Sequence, residues 1–269
     1  MISFQKTEKE DISELKKLWI DCFFDLHEAT ELFFNRIMSF TNGYKAVDED
    51  KIIAAVYLVD CTLNGKKAHY LCGAATSPEY RKRGIMSRLI EYALADAEQR
   101  GDAYSLLFPA NDGLYDFYAR LGYESKCTAR KVTLTRKELG AERAVNEEKP
   151  NFEELQTQCL KNNFLLRNNN FINFAIEYYS CYGAKAVYSK NAFAIYELDR
   201  DCAEVNYCIY NDIKELKSLF LSIKADKYIL TGKSNNPLFA ECKSEKYGMI
   251  KPLGGAEIPD DTYIGITLN

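Results

Sequence analysis

The chain has 269 residues, 47% of them hydrophobic and 28% charged, and a formal net charge of −4. That length buries a full core and leaves room for two domains, while the acidic balance excludes a nucleic-acid binder, whose domain would be clearly basic. Nine scattered cysteines (Cys22, Cys61, Cys72, Cys127, Cys159, Cys181, Cys202, Cys208, Cys242) include no Cys-x-x-Cys pair, and an odd number excludes a complete disulfide framework.

The cysteines read as buried apolar residues in a reducing compartment. Only His27 and His69 could complete a metal site with them, so no metal is expected. Residues 1–10 are polar and lack the apolar core of a signal peptide. No apolar run approaches the length of a membrane span. These features predict a soluble, cytoplasmic protein with no membrane partner.

Residues 1–5 form a short edge strand. Thr7-x-x-Glu10 makes a capping box, and Ile12, Leu15, Leu18, Trp19, Cys22 and Phe23 follow at helical spacing. A second helix covers residues 28–40, with Leu32, Phe33, Ile37 and Phe40 on its apolar side, and Asn42-Gly43 breaks it. Strands over 44–47 and 52–63 are joined by an acidic turn, and Asn64-Gly65 is a type I′ hairpin signal that returns the chain along 66–76.

Tyr70, Leu71 and Cys72 then feed into Ala-Ala-Thr-Ser-Pro-Glu-Tyr-Arg-Lys-Arg-Gly-Ile-Met at 74–86. Pro78 ends the strand because proline cannot continue a ladder. Arg81, Lys82 and Arg83 meet Gly84 where a helix begins, carrying Ile85, Leu89, Ile90, Leu94 and Ala97 on one face and stopping at Gly101. Free amides at a helix N-terminus, its positive dipole end, a permissive glycine and three cations suit a phosphate or pyrophosphate. A solvated basic turn is the plainer alternative. The absence of Gly-x-x-x-x-Gly-Lys-Ser/Thr excludes a P-loop, and a single glycine excludes a dinucleotide fingerprint.

Residues 103–108 make an interior strand parallel to its predecessor. Asn111 precedes a helix over 113–120, Gly122-Tyr123 ends it, and a last strand over 130–136 closes a first domain of residues 1–137. Residues 138–150, charged and carrying Gly140 and Pro150, read as a linker. Residues 151–269 form a second domain: a helix over 164–182 around Phe171, Phe174, Ile176 and Tyr179, strands at 184–188, 193–198 and 205–209, a helix over 213–223, and a strand at 228–231. This order loosely repeats the first half. The apolar stretches at 247–253 and 262–268 are too apolar for frayed ends; the second domain's own sheet is the expected place for both, and a wall of the first domain's acceptor pocket is the alternative.

The 74–86 segment resembles motif A of the GNAT acetyltransferases, whose Arg/Gln-x-x-Gly-x-Gly/Ala loop cradles the pyrophosphate of acetyl-CoA. Arg81 and Gly84 match, and Met86 stands where the family usually has Gly or Ala. Asn111-Asp112-Gly113-Leu114-Tyr115-Asp116-Phe117-Tyr118-Ala119-Arg120-Leu121-Gly122-Tyr123 resembles motif B through its Asn and its Tyr-x-x-Leu-Gly-Tyr ending. The resemblance implies an α/β (α+β) GNAT fold with a mixed, centrally splayed sheet. Beside it the sequence suggests a second, smaller, degenerate GNAT-like domain, loosely as in tandem proteins of the enhanced-intracellular-survival type. Tyr210-Asn211-Asp212 offers no basic glycine loop there, so that domain is not expected to bind CoA.

The family's chemistry implies acetyl-CoA as cosubstrate, held by Ala74, Ala75, Thr76, Arg81, Lys82, Arg83, Gly84, Ile85, Met86, Ser87 and Asn111. Amides near Ala75 and Thr76 would polarise the thioester, although Thr76 also fits an ordinary strand position. Asn111 is also placed to cap its helix. Tyr118 heads the Tyr-x-x-Leu-Gly-Tyr ending and matches the tyrosine that protonates the leaving sulfur; helix-to-sheet packing and the neighbouring Tyr115 are the competing assignments. The general base is open among Asp21, Asp25, Glu28, His69 and the C-terminal carboxylate of Asn269. The expectation is an N-acetyltransferase acting on the primary amine of a small molecule or peptide. The rival is a non-catalytic acetyl-CoA-binding sensor, a hydroxyl acceptor or a longer acyl group is a further possibility, and the oligomeric state is open.

Overall fold

The computed structural model describes residues 1–140, 147–160, 162–233 and 237–268. The linear order of the first unit is β1 (Ser3–Lys6), α1 (Ile12–Phe23), α2 (His27–Arg36), β2 (Thr41–Asp48), β3 (Lys51–Leu63), β4 (Lys66–Thr76), α3 (Ile85–Gln99), β5 (Tyr104–Leu107) and α4 (Asp112–Ala119). Asn64 and Gly65 both take positive φ, 52° and 73°. This is the type I′ geometry whose twist matches its strands, and it sets the β3–β4 register from Leu63 opposite Lys66. Gly43 lies inside β2 rather than ending a helix, and the Thr7 amide donates to its carbonyl. The capping box is formed by Glu8 and Asp11, one residue later than Thr7 and Glu10.

The sheet order is β1-β2-β3-β4-β5, and its next strand is Met249–Pro252, from near the end of the chain. β5 is buried along its whole length, so it needs a ladder partner on both edges. β4 pairs with it in parallel on one side, and Met249–Pro252 pairs antiparallel on the other, with Met249 opposite Leu107. Pro252, which has no N–H, occupies the last pair. Leu89, Ile90, Ala93 and Ala97 of α3 pack with Ile53, Val56, Leu58 and Met249 in one core.

The second unit holds residues 126–247 and 260–267. Its sheet runs Ser244–Lys246, Thr128–Thr135, Lys227–Gly232, Cys202–Tyr210, Ala192–Asp199, Lys185–Ser189. Cys202–Tyr210 pairs parallel with Lys227–Gly232, and the helix Ile213–Leu221 connects them. That is the β4–α3–β5 plan again. The helix Asn169–Ser180 starts later than its apolar spacing suggests because Asn168 caps it, accepting from the Phe171 amide. A helix at Phe152–Cys159, capped by Asn151, has no counterpart in the sequence reading.

Two expectations about the domain division are corrected. The strand placed last in the first domain is Thr128–Thr135, and it pairs in the second sheet, Lys227 opposite Thr135. The apolar stretch around Met249–Pro252, expected in the second domain's sheet, completes the first. The units therefore divide at 125/126, not 137, and residues 248–259, from near the end of the chain, belong to the first unit. Part of the expected linker is also folded: Arg136–Leu139 is a short helix with a Thr135–Glu138 capping box and a buried Leu139. Segment 262–267 belongs to the second unit, with Ile264 and Ile266 buried, but not to its sheet as expected: among the described residues, only isolated bridges pair Thr262 with Cys127 and Tyr263 with Phe164.

Ile250 is fully buried. Ile250→Ala should destabilise the chain by about 2–4 kcal/mol. Hydrogen exchange should locate the lost protection in β5, the strand it pairs with. Loss confined to residues 185–232 would overturn the pairing of Met249–Pro252 with β5.

Candidate active site

β4 and β5 pair only over Ala68–Tyr70 and Tyr104–Leu106, whereas β4 runs on to Thr76. The divergence coincides with a break in the β3–β4 register between Ala55 and Tyr57, where Ala55 faces Ala75 but Tyr57 faces Cys72. Gly73 and Ala74 thus oppose Val56 alone. Gly73 takes φ +61°, which makes this a glycine-type β-bulge. A Cβ on Gly73 would lie 2.5 Å from Trp19 Cζ3 and 2.8 Å from Tyr57 Cδ2. Both its conformation and the close approach of α1 require glycine. A lone glycine inside an apolar strand run was the available sequence signal for this bulge.

Past the bulge, the Ser77 amide donates to the Ile53 carbonyl on β3 at 2.9 Å. Strand alternation turns the Thr76 amide to the opposite edge, which β5 has left. The Thr76 carbonyl shares that edge, accepting from Arg81 Nε at 3.0 Å and from Cys22 Sγ at 3.4 Å. Arg81 also reaches Cys22 Sγ at 3.7 Å, so its side chain bridges the end of β4 to the end of α1.

The chain then turns through Lys82 at φ +61° and Gly84 at φ +70°, both left-handed, into α3. Gly84 is the N-cap residue and makes no side-chain cap. The amides of Ile85, Met86 and Ser87 lie in the first turn, where no intrahelical carbonyl reaches them. Arg81, Lys82, Arg83 and Gly84 are exposed, and the Arg83 guanidinium lies 5.1 Å from the centre of the Tyr80 ring. Nothing stands within 4 Å of a Cβ built on Gly84, so its role is conformational. Two left-handed residues, unbonded first-turn amides and three exposed cations fit a pyrophosphate. Met86 packs against the apolar core with Ala74, leaving its backbone to face the loop.

Asn111 is the N-cap residue of α4, yet its side chain makes no cap hydrogen bond. The capping alternative is thus not realised. Tyr118, on α4, packs with Leu71, Ile85 and Tyr123 and is 7% exposed. Burial, with a smaller contribution from Cys72, pushes its phenol up to about 12. Its neighbour Tyr123 is committed, with its hydroxyl 2.6 Å from Ser105 Oγ. Tyr115 is half-buried against the same core.

The base candidates separate. Asp21 and Glu28 are exposed on α1 and α2. Asp25 accepts from Trp19 Nε1 at 3.0 Å and from the Leu26 amide at 2.9 Å. His69 lies in the paired part of β4, fully buried, with Nδ1 2.8 Å from Asp102 Oδ2. Burial pushes its imidazole below the usual range against the pull of Asp102, which marks it as a structural partner of that carboxylate. Asn269 lies outside the described residues. Among the described residues no group of three or more His, Cys, Asp or Glu is placed to hold a metal ion, and no helix is long and apolar enough to cross a membrane.

In the second unit only Asn211 and Asp212 separate the corresponding strand and helix, and Asp212 caps that helix by accepting from the Lys214 amide. A carboxylate already stands where an anion would bind. A bulge at Asn206 ends the parallel pairing there too, and a Cβ on Gly265 would lie 2.8 Å from the buried Tyr207, which follows that bulge.

His69 makes a stability prediction. The unfolded chain takes up a proton near pH 6.5 that the folded His69 resists, so stability falls as pH drops below that value, by at most about 1.4 kcal/mol per pH unit. Asp102, held low by the His69 hydrogen bond despite its burial, acts only in a lower window. Denaturant unfolding of His69→Asn should show a shallower slope between pH 7 and 5; a profile parallel to the parent's counts against the buried-histidine account.

Residues 3–125 match the family model described as an acetyltransferase (GNAT) domain. No curated protein sequence matches the chain. Among solved structures, a conserved protein of Enterococcus faecalis V583 superposes with TM-score 0.74 at 18% identity, over 94% of this chain and 72% of that one. A GCN5-related N-acetyltransferase from Kribbella flavida gives 0.71 at 17% identity, over 94% and 70%. Eis1 from Mycobacterium abscessus gives 0.69 at 12% identity, over 94% and 73%. At these identities the likeness speaks for the fold, and it extends across both units.

Proposed function

Because residues 3–125 match the GNAT acetyltransferase domain model, we propose that the chain transfers acetyl from acetyl-CoA directly to a primary amine. The observation that carries this reading is the divergence of β4 from β5 immediately before the two left-handed residues that open α3. One opening thereby joins a strand edge outside the β5 ladder to an anion cradle, which suits a long ligand with a pyrophosphate at one end and a thioester at the other.

The residues divide the work as follows. Lys82, Arg83 and the amides from Gly84 to Ser87 hold the pyrophosphate, and Arg81 ties the Thr76 carbonyl while its guanidinium stays exposed. Ala74 and Ala75 line the open strand edge beside Thr76. The Thr76 amide, turned to that edge, polarises the thioester carbonyl. Asn111, free of capping, is placed to bond the pantetheine arm. As the amine nitrogen forms its bond to the acyl carbon, the carbon–sulfur bond breaks and one proton in net leaves to solvent. Tyr118 donates a hydrogen bond to the departing sulfur. A phenol near 12 stays protonated at neutral pH, but full transfer to a thiolate, near 8.5 for an ordinary thiol, is uphill. The proton therefore moves as the product nitrogen sheds its own. The second unit, with its carboxylate-capped helix, takes no CoA in this reading.

Tyr118→Phe keeps the packing and should lower turnover roughly 100-fold with acetyl-CoA affinity nearly unchanged. Equal turnover, or the same loss in Tyr115→Phe alone, would reassign the acid. Calorimetry should show acetyl-CoA bound at least about tenfold more weakly by Gly84→Val, about 1.4 kcal/mol, because a β-branched residue resists φ +70°. Unchanged affinity would remove the cradle from the binding site. Acetyl-CoA binding without thiol release across an amine panel would favour the sensor instead.

A further inference from the structure

The turn between α1 and α2 presents large apolar side chains to solvent: Ile20, Phe23 and Leu26 are 38%, 42% and 47% exposed, and Phe24 is 87% exposed. Single exposed apolar residues need no explanation, but four within seven positions form a patch. Phe24 is also held at φ +53°, its amide bonded to the Ile20 carbonyl. A bulky residue pays strain in that region, and asparagine or glycine would end α1 without it.

This patch adjoins the open end of β4. Cys22, one residue before Phe23, donates to the Thr76 carbonyl. Phe23 meets the Trp19 ring edge-on at 4.7 Å, and Trp19 rests on Gly73 of the bulge. The same stretch, residues 20–28, carries three carboxylates (Asp21, Asp25, Glu28) and one histidine, His27, with no Lys or Arg. It also lacks Ser, Thr, Asn and Gln, so it offers little for recognising hydroxyl groups.

We propose that the acceptor is a primary amine on an apolar body, an alkyl or aryl-alkyl ammonium. Its hydrocarbon lies on the Ile20–Phe23–Phe24–Leu26 rim, and its nitrogen sits at the Thr76 end of β4. The exposed carboxylates of Asp21 and Glu28 attract the ammonium to the turn, and the rim selects for its apolar body. This inference rests on the acetyl-transfer reading above: the nitrogen–carbon bond forms, the carbon–sulfur bond breaks, and the sulfur leaves as the thiol of CoA.

The test measures thiol release by the full chain at saturating acetyl-CoA, with butylamine, hexylamine, octylamine and phenethylamine set against ethanolamine and glucosamine. The expected kcat/KM rises along the alkyl series by roughly threefold per buried methylene, and exceeds that of the hydroxylated amines. Phe24→Asn suits the left-handed position, so its melting temperature and acetyl-CoA affinity should hold. Its octylamine-to-butylamine selectivity should fall at least about fivefold, and Leu26→Ser should act in the same direction. Equal or better turnover with ethanolamine or glucosamine overturns the apolar-acceptor inference and leaves acetyl transfer standing. Normal acetyl-CoA affinity with no thiol release from any amine overturns both. A dimer that Phe24→Asn dissociates, with selectivity unchanged, assigns the rim to self-association and also overturns the inference.

Discussion

The bulge at Gly73 is the constraint on which the site depends. One extra residue in β4 against β3 re-aims the end of that strand, so the ladder to β5 stops after Tyr70. Trp19 makes the arrangement specific, because its ring fills the space where any Cβ at position 73 would stand. The aromatic group around Trp19, with Phe33 at 4.2 Å and Tyr57 at 6.0 Å, fixes α1 on this part of the sheet. Loss of that fit would move the Thr76 edge, the Cys22 and Arg81 contacts and the entry to α3 together.

At the paired end of β4, charged and polar side chains form a committed network. Tyr44, Asp96, Arg100, Asp102 and His69 form one bonded chain, extended by Lys6 to Asp96 at 2.8 Å and Lys67 to Asp102 at 3.2 Å. This network holds the paired end of β4 and β5 to β2 and the end of α3. Charges so engaged stabilise geometry and are poorly placed to act on a ligand. The unbonded amides, exposed cations and left-handed residues gather at the other end of β4. Such a division is the usual relation between a rigid scaffold and the loops that carry function.

The two units show the same strand plan with opposite outcomes. Both have a meander, a bulge, a helix and a parallel strand. In the first, an eight-residue connection from Thr76 to Ile85 leaves a helix N-terminus open; in the second, a two-residue connection ends in Asp212, whose carboxylate satisfies that terminus. Loop length and one capping residue separate an open helix N-terminus from a closed one. Both β5 and Lys227–Gly232 also pair with strands distant in sequence, and the loop-closure cost of such pairings slows folding.

What the sequence determined by itself was local. Asn64-Gly65 fixed a hairpin because both residues accept positive φ, and Arg-Lys-Arg-Gly before an apolar helical face marked a candidate anion cradle because cations, glycine and helix start lie within one turn. Tyr118 was singled out as the candidate acid by its position in a short motif. Only the tertiary structure decided what depended on distant neighbours. The edge left open on each sheet chose between Thr128–Thr135 and Met249–Pro252, two segments with similar strand character. His69 looked able to reach the cleft until the β4–β5 ladder enclosed it against Asp102. Gly73 falls inside the strand expected over 66–76; a lone strand glycine hints at a bulge, but the ring that forbids any other residue there lies fifty-four positions earlier, on α1.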